Sequence, residues 1–310
     1  MNPLLAMHFV VSGRVQGVGF RPFVYRLAQR FELNGWVQNR LGLVEIEVEG
    51  SPQHLAAFAA ALVDEAPPLA QPQILGQMQT PVTGAGGFAI RPSVGDSRPD
   101  IHVPPDYFIC DDCLRELFDS HDRRYRYPFI NCTQCGPRYT LIETLPYDRA
   151  ALSMSGFTLC PACRSKYDNP LDRRFHAEPI ACPQCGPQLL FRNDRLTLAG
   201  AGALEAAVAA LRVGQIVAVK GVGGYHLLCD ARSVIVVSRL RERKARPHKP
   251  LAVMFPDLAS VQHAAEMTDD EAAFLSSPLR PVLLLEQRAD SSLCVQVAPG
   301  LTEVGSPAAV

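Results

Sequence analysis

No apolar run in this chain approaches the ~20 residues that a membrane-spanning helix needs. The opening, MNPLLAMHFV, lacks a positively charged segment leading into a hydrophobic core, so no secretion signal is expected. Neither charge is in excess: 30 lysines and arginines face 31 acids, a formal net charge of −1. Without a basic surplus the chain as a whole has no field to draw in nucleic acid or an anionic membrane. The expected setting is cytoplasmic. What is present is ordinary for a water-soluble protein, 47% apolar and 20% charged residues. At 310 residues there is room for two or three domains, each burying its own core.

Cysteine is the exception to this plainness. Eight of the ten form four CxxC pairs: Cys110 and Cys113, Cys132 and Cys135, Cys160 and Cys163, Cys182 and Cys185. In a reducing compartment such pairs are metal ligands rather than disulfides. They fall in an internal duplication. CDDCLRELFDSHDRRYRYPFINCTQCGP and CPACRSKYDNPLDRRFHAEPIACPQCGP align at a constant offset of fifty residues, each reading CxxC, eighteen residues, CxxC. Four thiolates close a tetrahedral structural zinc site with no open position, so two structural zinc ions are expected. The spacing leaves open whether each ion is held within one copy or by halves exchanged between copies. Residues 98–195 carry thirteen Lys and Arg and thirteen Asp and Glu. That balance argues against a phosphate-tracking surface, despite the arginine runs at Arg123–Arg126 and Arg173–Arg174. Those arginines are expected to pair with local acids or to face a neighbouring domain. With few long apolar runs, the region should owe much of its folding to metal, so chelation is expected to unfold it while sparing the first domain. Cys229 and Cys294 stand alone in apolar surroundings, as small core side chains do, and are assigned no role.

Residues 6–91 alternate strand and helix signals. MHFVVSG reads as a strand, and Phe20, Val24, Leu27 and Phe31 then share one helical face, with Pro22 in the first turn. GWVQN is a second strand. LVEIEVEG alternates Val44, Ile46 and Val48 with three glutamates, a strand with one wet face. A second helix carries Leu55, Phe58 and Leu62, and strands follow around Gln73–Met78 and Phe88–Arg91. The order is βαββαβ, a ferredoxin-like sandwich. Between the first strand and helix lies GRVQGVGFRP, with three glycines in seven positions. A glycine-rich turn at a helix start points consecutive N–H groups inward, a cradle for phosphate. Here the cradle comprises Arg14, Val15, Gln16, Gly17, Val18 and Gly19, with Arg21 as a planar anion clamp. GRVQGVGFRP followed by GWVQN resembles the acylphosphatase signature. That resemblance implies that Arg21 binds the phosphoryl group and Asn39 orients the attacking water. An acyl phosphate has a good leaving group, so positioning and charge stabilisation suffice without a protein nucleophile.

Ser93 to Pro105, SVGDSRPDIHVPP, is polar and proline-rich and reads as a linker. Beyond Gly200 the texture is α/β. ALEAAVAALRVG is a helix with Leu204, Val208 and Leu211 on one face and Gly214 as its stop, QIVAVK a buried strand, and PLAVMF and PVLLLE two further apolar strands. GVGGYHLLCDAR does not meet the dinucleotide fingerprint, since His226 stands where the third glycine belongs. Taken with KGVGGYHLLCDAR, the stretch KARPHKPL resembles the nucleotide-binding signature of YrdC-like domains. The resemblance implies ATP, with magnesium, as a substrate, and makes Lys220, Lys244, Arg246 and Lys249 nucleotide-binding candidates, although Lys249 stands where simpler members carry asparagine. The expected division is an acylphosphatase-like domain at 1–92, a linker at 93–105, a duplicated zinc-finger region at 106–195 and an incomplete YrdC-like domain at 200–310. This order, with RRYRYPFINCTQCGPR and PLDRRFHAEPIACPQCGP, resembles the HypF family of hydrogenase-maturation carbamoyltransferases. The family implies hydrolysis of carbamoyl phosphate, condensation of the carbamate with ATP to carbamoyl-adenylate, and transfer to a cysteine of a HypE-type partner on the way to the cyanide ligand of a nickel–iron site. Because the family's sequences continue past the point where this one ends, at SPAAV, the transfer steps are not expected of this chain alone. The alternative reading is an acylphosphatase joined to a zinc-dependent scaffold that binds RNA or protein.

Overall fold

The computed structural model describes residues 4–40, 42–94, 105–144, 147–277 and 279–307, so most of the expected linker, 95–104, lies outside it. Chain contacts divide the molecule into two compact units, Met1–Pro187 and Gln188–Val310.

The first unit opens on β1 (Leu5–Arg14), α1 (Phe20–Arg30), β2 (Asn34–Arg40), β3 (Leu43–Gly50), α2 (Pro52–Asp64), β4 (Gln71–Thr80) and β5 (Phe88–Ile90). The strands form one sheet in the order β4-β1-β3-β2-β5, antiparallel throughout except for β2 with β5. Alternation along β3 explains the layering. Val44, Ile46 and Val48 are fully buried, and with Phe9 they pack on Val24 and Leu27 of α1 and Phe58 and Leu62 of α2. Each such side chain removed from water contributes about 1.5–3 kcal/mol. The wet face of β3 is not wet throughout. Glu49 is only 4% exposed, because its carboxylate accepts hydrogen bonds from the N–H groups of Thr83, Gly84 and Ala85 and from the Thr83 hydroxyl.

The cysteine-rich part contributes α3 (Asp111–Phe118) and α4 (Pro161–Asp168), each starting on the second residue of a CxxC pair. The duplication is a structural repeat. Arg126 (φ +55) and His176 (φ +52), fifty residues apart, both take left-handed backbone, and their N–H groups bond to Leu117 O and Tyr167 O, again fifty apart. This part is joined to the sheet domain: Tyr107 packs into the sheet's core while exchanging two backbone hydrogen bonds with Gly136, and Tyr25 of α1 meets Phe175 edge-on.

The second unit holds the hairpin β6 (Leu190–Arg192) and β7 (Thr197–Ala199), then α5 (Gly200–Arg212), β8 (Val217–Lys220), β9 (Tyr225–Leu228), α6 (Val234–Arg243), α7 (Leu258–Ala264), α8 (Asp269–Ser276), β10 (Val282–Glu286) and β11 (Glu303–Pro307). Its core gathers Val237, Val253, Phe255, Val261, Leu275, Leu285 and Val304. Three expectations change here. Leu204 and Val208 of α5 are exposed and the helix buries Ala203 and Ala210 instead. QIVAVK is not a buried strand, because among the described residues β8 pairs only with β9 and leaves Ala218, Val219 and Lys220 exposed. PLAVMF is not a regular strand either: Val253 N–H bonds to Gly305 O on β11 and Leu251 N–H to Val297 O, while Met254 points outward.

Candidate functional site

In the turn after β1, Gly17 (φ +66) and Gly19 (φ +73) lie in the left-handed region that disfavours every residue with a side chain. Gly19 has a second reason to be glycine, since a Cβ there would come within 2.9 Å of Thr133 Cβ and Gln134 Nε2. Val15, Gln16 and Val18 turn their side chains into the core, so the turn presents backbone to its surroundings. Among the described residues the N–H groups of Gln16, Gly17, Val18 and Gly19 have no backbone acceptor, and Gly19 caps α1, whose N-terminus carries partial positive charge. Arg14 closes β1, its Nε buried without a partner.

Arg21, in the first turn of α1, lines a recess with Gly17 and Gly19. Its Nη1 is 3.3 Å from Ser93 Oγ, and its Nη2 is 3.3 Å from Asp148 Oδ1 and 4.0 Å from Glu178 Oε1. Asn39, on β2, is 3% exposed and is not among the residues that line the recess; its Oδ1 has no hydrogen-bond partner among the described residues. An unpaired buried acceptor is costly and marks a group poised for a donor.

The far wall of the recess comes from the cysteine-rich part: Thr133, Arg138, Tyr147, His176 and Glu178. Sequence reading missed all of them. The repeat held one clue, since Arg138 ends CGPR where the second copy has Gln188 in CGPQ. Glu178 is buried, and its Oε2 accepts from Tyr167 OH at 2.8 Å and Arg149 N–H at 2.9 Å. Burial raises its carboxyl above the ordinary value, against the pull of Arg21. Burial and the nearby Arg21 charge lower the His176 imidazole to about 4.

The eight cysteines form two clusters, Cys110, Cys113, Cys132 and Cys135, and Cys160, Cys163, Cys182 and Cys185, each within one copy of the repeat. The exchange of halves left open by the sequence does not occur. Sγ–Sγ separations are 3.7 and 3.8 Å in the first cluster and 3.8 and 3.6 Å in the second. A tetrahedron with metal–sulfur bonds of about 2.3 Å has edges of about 3.8 Å, so the donor set fits one tetrahedral ion per cluster. The arginines of the DRR runs answer these thiolates across the repeat. Arg123 donates to Cys160, Cys163 and Cys182 at 3.2, 3.5 and 3.0 Å, and Arg124 to Cys163 at 3.2 Å. Arg173 reaches Cys113 at 3.2 Å from both Nη atoms, and Arg174 reaches it at 3.7 Å; both also pair with Glu116. The expectation of local acids therefore holds only for Glu116; thiolates of the opposite copy are the main partners. Four thiolates around a divalent cation carry two net negative charges, which two arginines balance. Burial opposes ionisation of Cys160, yet the hydrogen bonds from Arg123 and the N–H of Cys163 hold its thiol below the ordinary value.

In the second unit Lys220 ends β8 with its ammonium 6.0 Å from the Tyr225 ring. Lys244 caps the C-terminus of α6, Arg246 Nη2 donates to Pro250 O at 3.0 Å, and the Lys249 side chain is exposed. Sequence reading missed the residue that holds this loop. Arg241, 5% exposed, donates to the carbonyls of Arg246, Pro247 and Lys249 and to those of Gln296 and Val297.

Residues 7–90 match the acylphosphatase family, 109–142 and 159–191 the HypF finger family, and 209–307 the telomere recombination family that groups Sua5, YciO and YrdC. A carbamoyltransferase HypF of Synechocystis is 50% identical over 297 residues, 95% of this chain and 39% of that protein. A crystal structure of full-length HypF in a phosphate- and nucleotide-bound form superposes with a TM-score of 0.92 at 38% identity, covering 100% of this chain and 40% of that one. An acylphosphatase of Bacillus licheniformis is 46% identical over 65 residues, 72% of its length. The chain thus spans about two fifths of the HypF proteins it matches.

Proposed function

The chain belongs to the HypF family, and on that premise we propose that the turn 14–19, with Arg21 and Asn39, hydrolyses carbamoyl phosphate. The observation that carries this reading is the turn itself, four consecutive N–H groups without backbone acceptors among the described residues, beside the Arg21 guanidinium. The N–H groups and Arg21 hold the phosphoryl oxygens, where negative charge stays concentrated through the reaction. The Asn39 Oδ1, without a partner among the described residues, accepts a hydrogen bond from the attacking water and fixes its direction. Cleavage releases phosphate and carbamate, with no covalent protein intermediate.

The two clusters hold zinc, which supplies folding energy and takes no part in the chemistry. The second unit is the nucleotide-binding part, with Lys220, Lys244, Arg246 and Lys249 toward ATP and its magnesium, and carbamoyl-adenylate as its product in the whole protein. The carbamoyl group then passes to a cysteine of a HypE-type protein in the cytoplasm. An RNA-recruiting scaffold is the weaker reading, because Arg123, Arg124, Arg173 and Arg174 are already engaged by thiolates, carbonyls and Glu116.

The test is phosphate release from carbamoyl phosphate by the wild type, Arg21→Ala and Asn39→Ala. Loss of a preorganised contact of this kind costs roughly a hundredfold or more in rate. Full activity in both variants would remove the acylphosphatase reading.

A further inference from the structure

We propose that Arg138 and Gln134, at the knuckle of the first cysteine cluster, are positioning residues for the phosphate cradle. The inference rests on the acyl phosphate reading of the turn and adds the device that holds it in shape. Arg138 Nε donates to Gly17 O at 2.7 Å, and Gln134 Nε2 donates to Val18 O at 3.1 Å. In a trans peptide the carbonyl and the following N–H point in opposite directions. Gripping Gly17 O therefore aims the N–H of Val18, and gripping Val18 O aims the N–H of Gly19, away from the knuckle side. Those are two of the four N–H groups without backbone acceptors.

The grip is rigid because its other end is anchored. Arg138 is 1% exposed; its Nη1 donates to Cys135 O and Pro137 O, its Nη2 to Cys132 O, and its own N–H to Asp106. Gln134 N–H bonds to Cys132 Sγ at 3.3 Å. Two of the anchoring carbonyls belong to metal-ligating cysteines, so the shape of the knuckle sets the shape of the cradle. Arg138 has no carboxylate within ion-pair distance of its guanidinium among the described residues, so its charge adds to the positive potential around the turn. The absent Cβ of Gly19 lets Thr133 and Gln134 approach the turn closely enough for the contact. For Arg138 the repeat agrees, since the second copy has Gln188 at that position; at the position of Gln134 both copies carry glutamine, Gln184 in the second.

The experiment titrates the full chain with inorganic phosphate by calorimetry and measures kcat and KM for carbamoyl phosphate, with zinc content determined for each protein. Arg138→Ala and Gln134→Ala are expected to keep two zinc ions. The first should weaken phosphate binding by about tenfold or more and the second by a few-fold, as losses of a charged and a neutral hydrogen bond. KM should rise with the phosphate dissociation constant, and Arg138→Lys should restore part of the affinity. If Arg138→Ala loses zinc or fails to fold, Gln134→Ala decides. Wild-type phosphate affinity in a zinc-replete Gln134→Ala, or in a zinc-replete Arg138→Ala, overturns the proposal. A wild type that binds phosphate but leaves carbamoyl phosphate intact overturns the substrate reading alone; one that binds no phosphate overturns both.

Discussion

Arg124, Arg138 and Arg174 are among the largest fully buried side chains described, and Arg241 is nearly as buried. In sequence each looks like a surface residue, because arginine is almost never buried without a partner. Their partners are carbonyls, thiolates and, for Arg174, Glu116; the sequence showed the runs that hold Arg124 and Arg174 but not these partners, and it did not set apart Arg138 and Arg241, although Arg21 and the eight cysteines stood out. Those were legible because local spacing carries their chemistry. Arg241→Met should leave five carbonyls short of a donor and destabilise the second unit by on the order of 3 kcal/mol or more, read from denaturant midpoints. His176 offers a residue-scale pH test. Its imidazole falls from an ordinary 6.5 to about 4 because burial and Arg21 disfavour the cation. The unfolded chain then binds more protons between those values, so stability should decline as pH falls from about 6.5 to about 4. In His176→Gln that part of the slope should vanish; an unchanged slope would assign it to other groups.

At the scale of elements, regular patterns were read well and capping or bracing contacts were not. The βαββαβ order, the buried faces of α1 and α2 and the duplication were all legible, since periodicity of 2 and 3.6 reports which face is covered. The same logic failed for α5 and β8, where Leu204, Val208 and Val219 are exposed, because periodicity reports a face without saying whether anything covers it. It also failed for Glu49, whose carboxylate ties down residues 83–85. Burial works against that charge, yet the hydrogen bonds from Thr83, Gly84 and Ala85 prevail and hold its pKa below the ordinary value. The two α-helices of the repeat are braced at Cys113 and Cys163 by the arginines of the opposite copy, a contact that the fifty-residue offset alone could not assign. Partners of metal ligands in such positions typically tune affinity by about 10–100-fold. Arg123→Ala should therefore speed metal release from the cluster of Cys160, Cys163, Cys182 and Cys185, and Arg173→Ala from that of Cys110, Cys113, Cys132 and Cys135. Transfer to a chromophoric chelator, with cluster identity read by cysteine alkylation and mass spectrometry, distinguishes this cross-pattern from release confined to the mutated copy.

For the whole molecule, the first unit couples two kinds of stability and the second has one. The sheet domain of the first unit is closed by apolar packing around Phe9, Ile46 and Phe58, which needs no metal. Its glycine-rich turn, however, leans on the cysteine-rich part through Arg138, Gln134 and the glycine contact at Gly19. The second unit is held by Val237, Val261, Leu275, Leu285 and Val304, with no thiolate cluster among its described residues. Chelation should therefore act on three levels, and hydrogen exchange followed by mass spectrometry resolves them. Protection should be lost across residues 105–187, where metal supplies the folding energy. It should be retained in β1, β3, α6, α7, β10 and β11. The turn 15–19 should behave as neither: its domain stays folded, yet its own exchange should rise, with phosphate affinity falling in step. This amends the expectation that chelation spares the first domain. A turn whose exchange and phosphate affinity both survive complete metal removal would show that the sheet domain shapes its own cradle, and a second unit that unfolds with the first would show that its core depends on the metal after all.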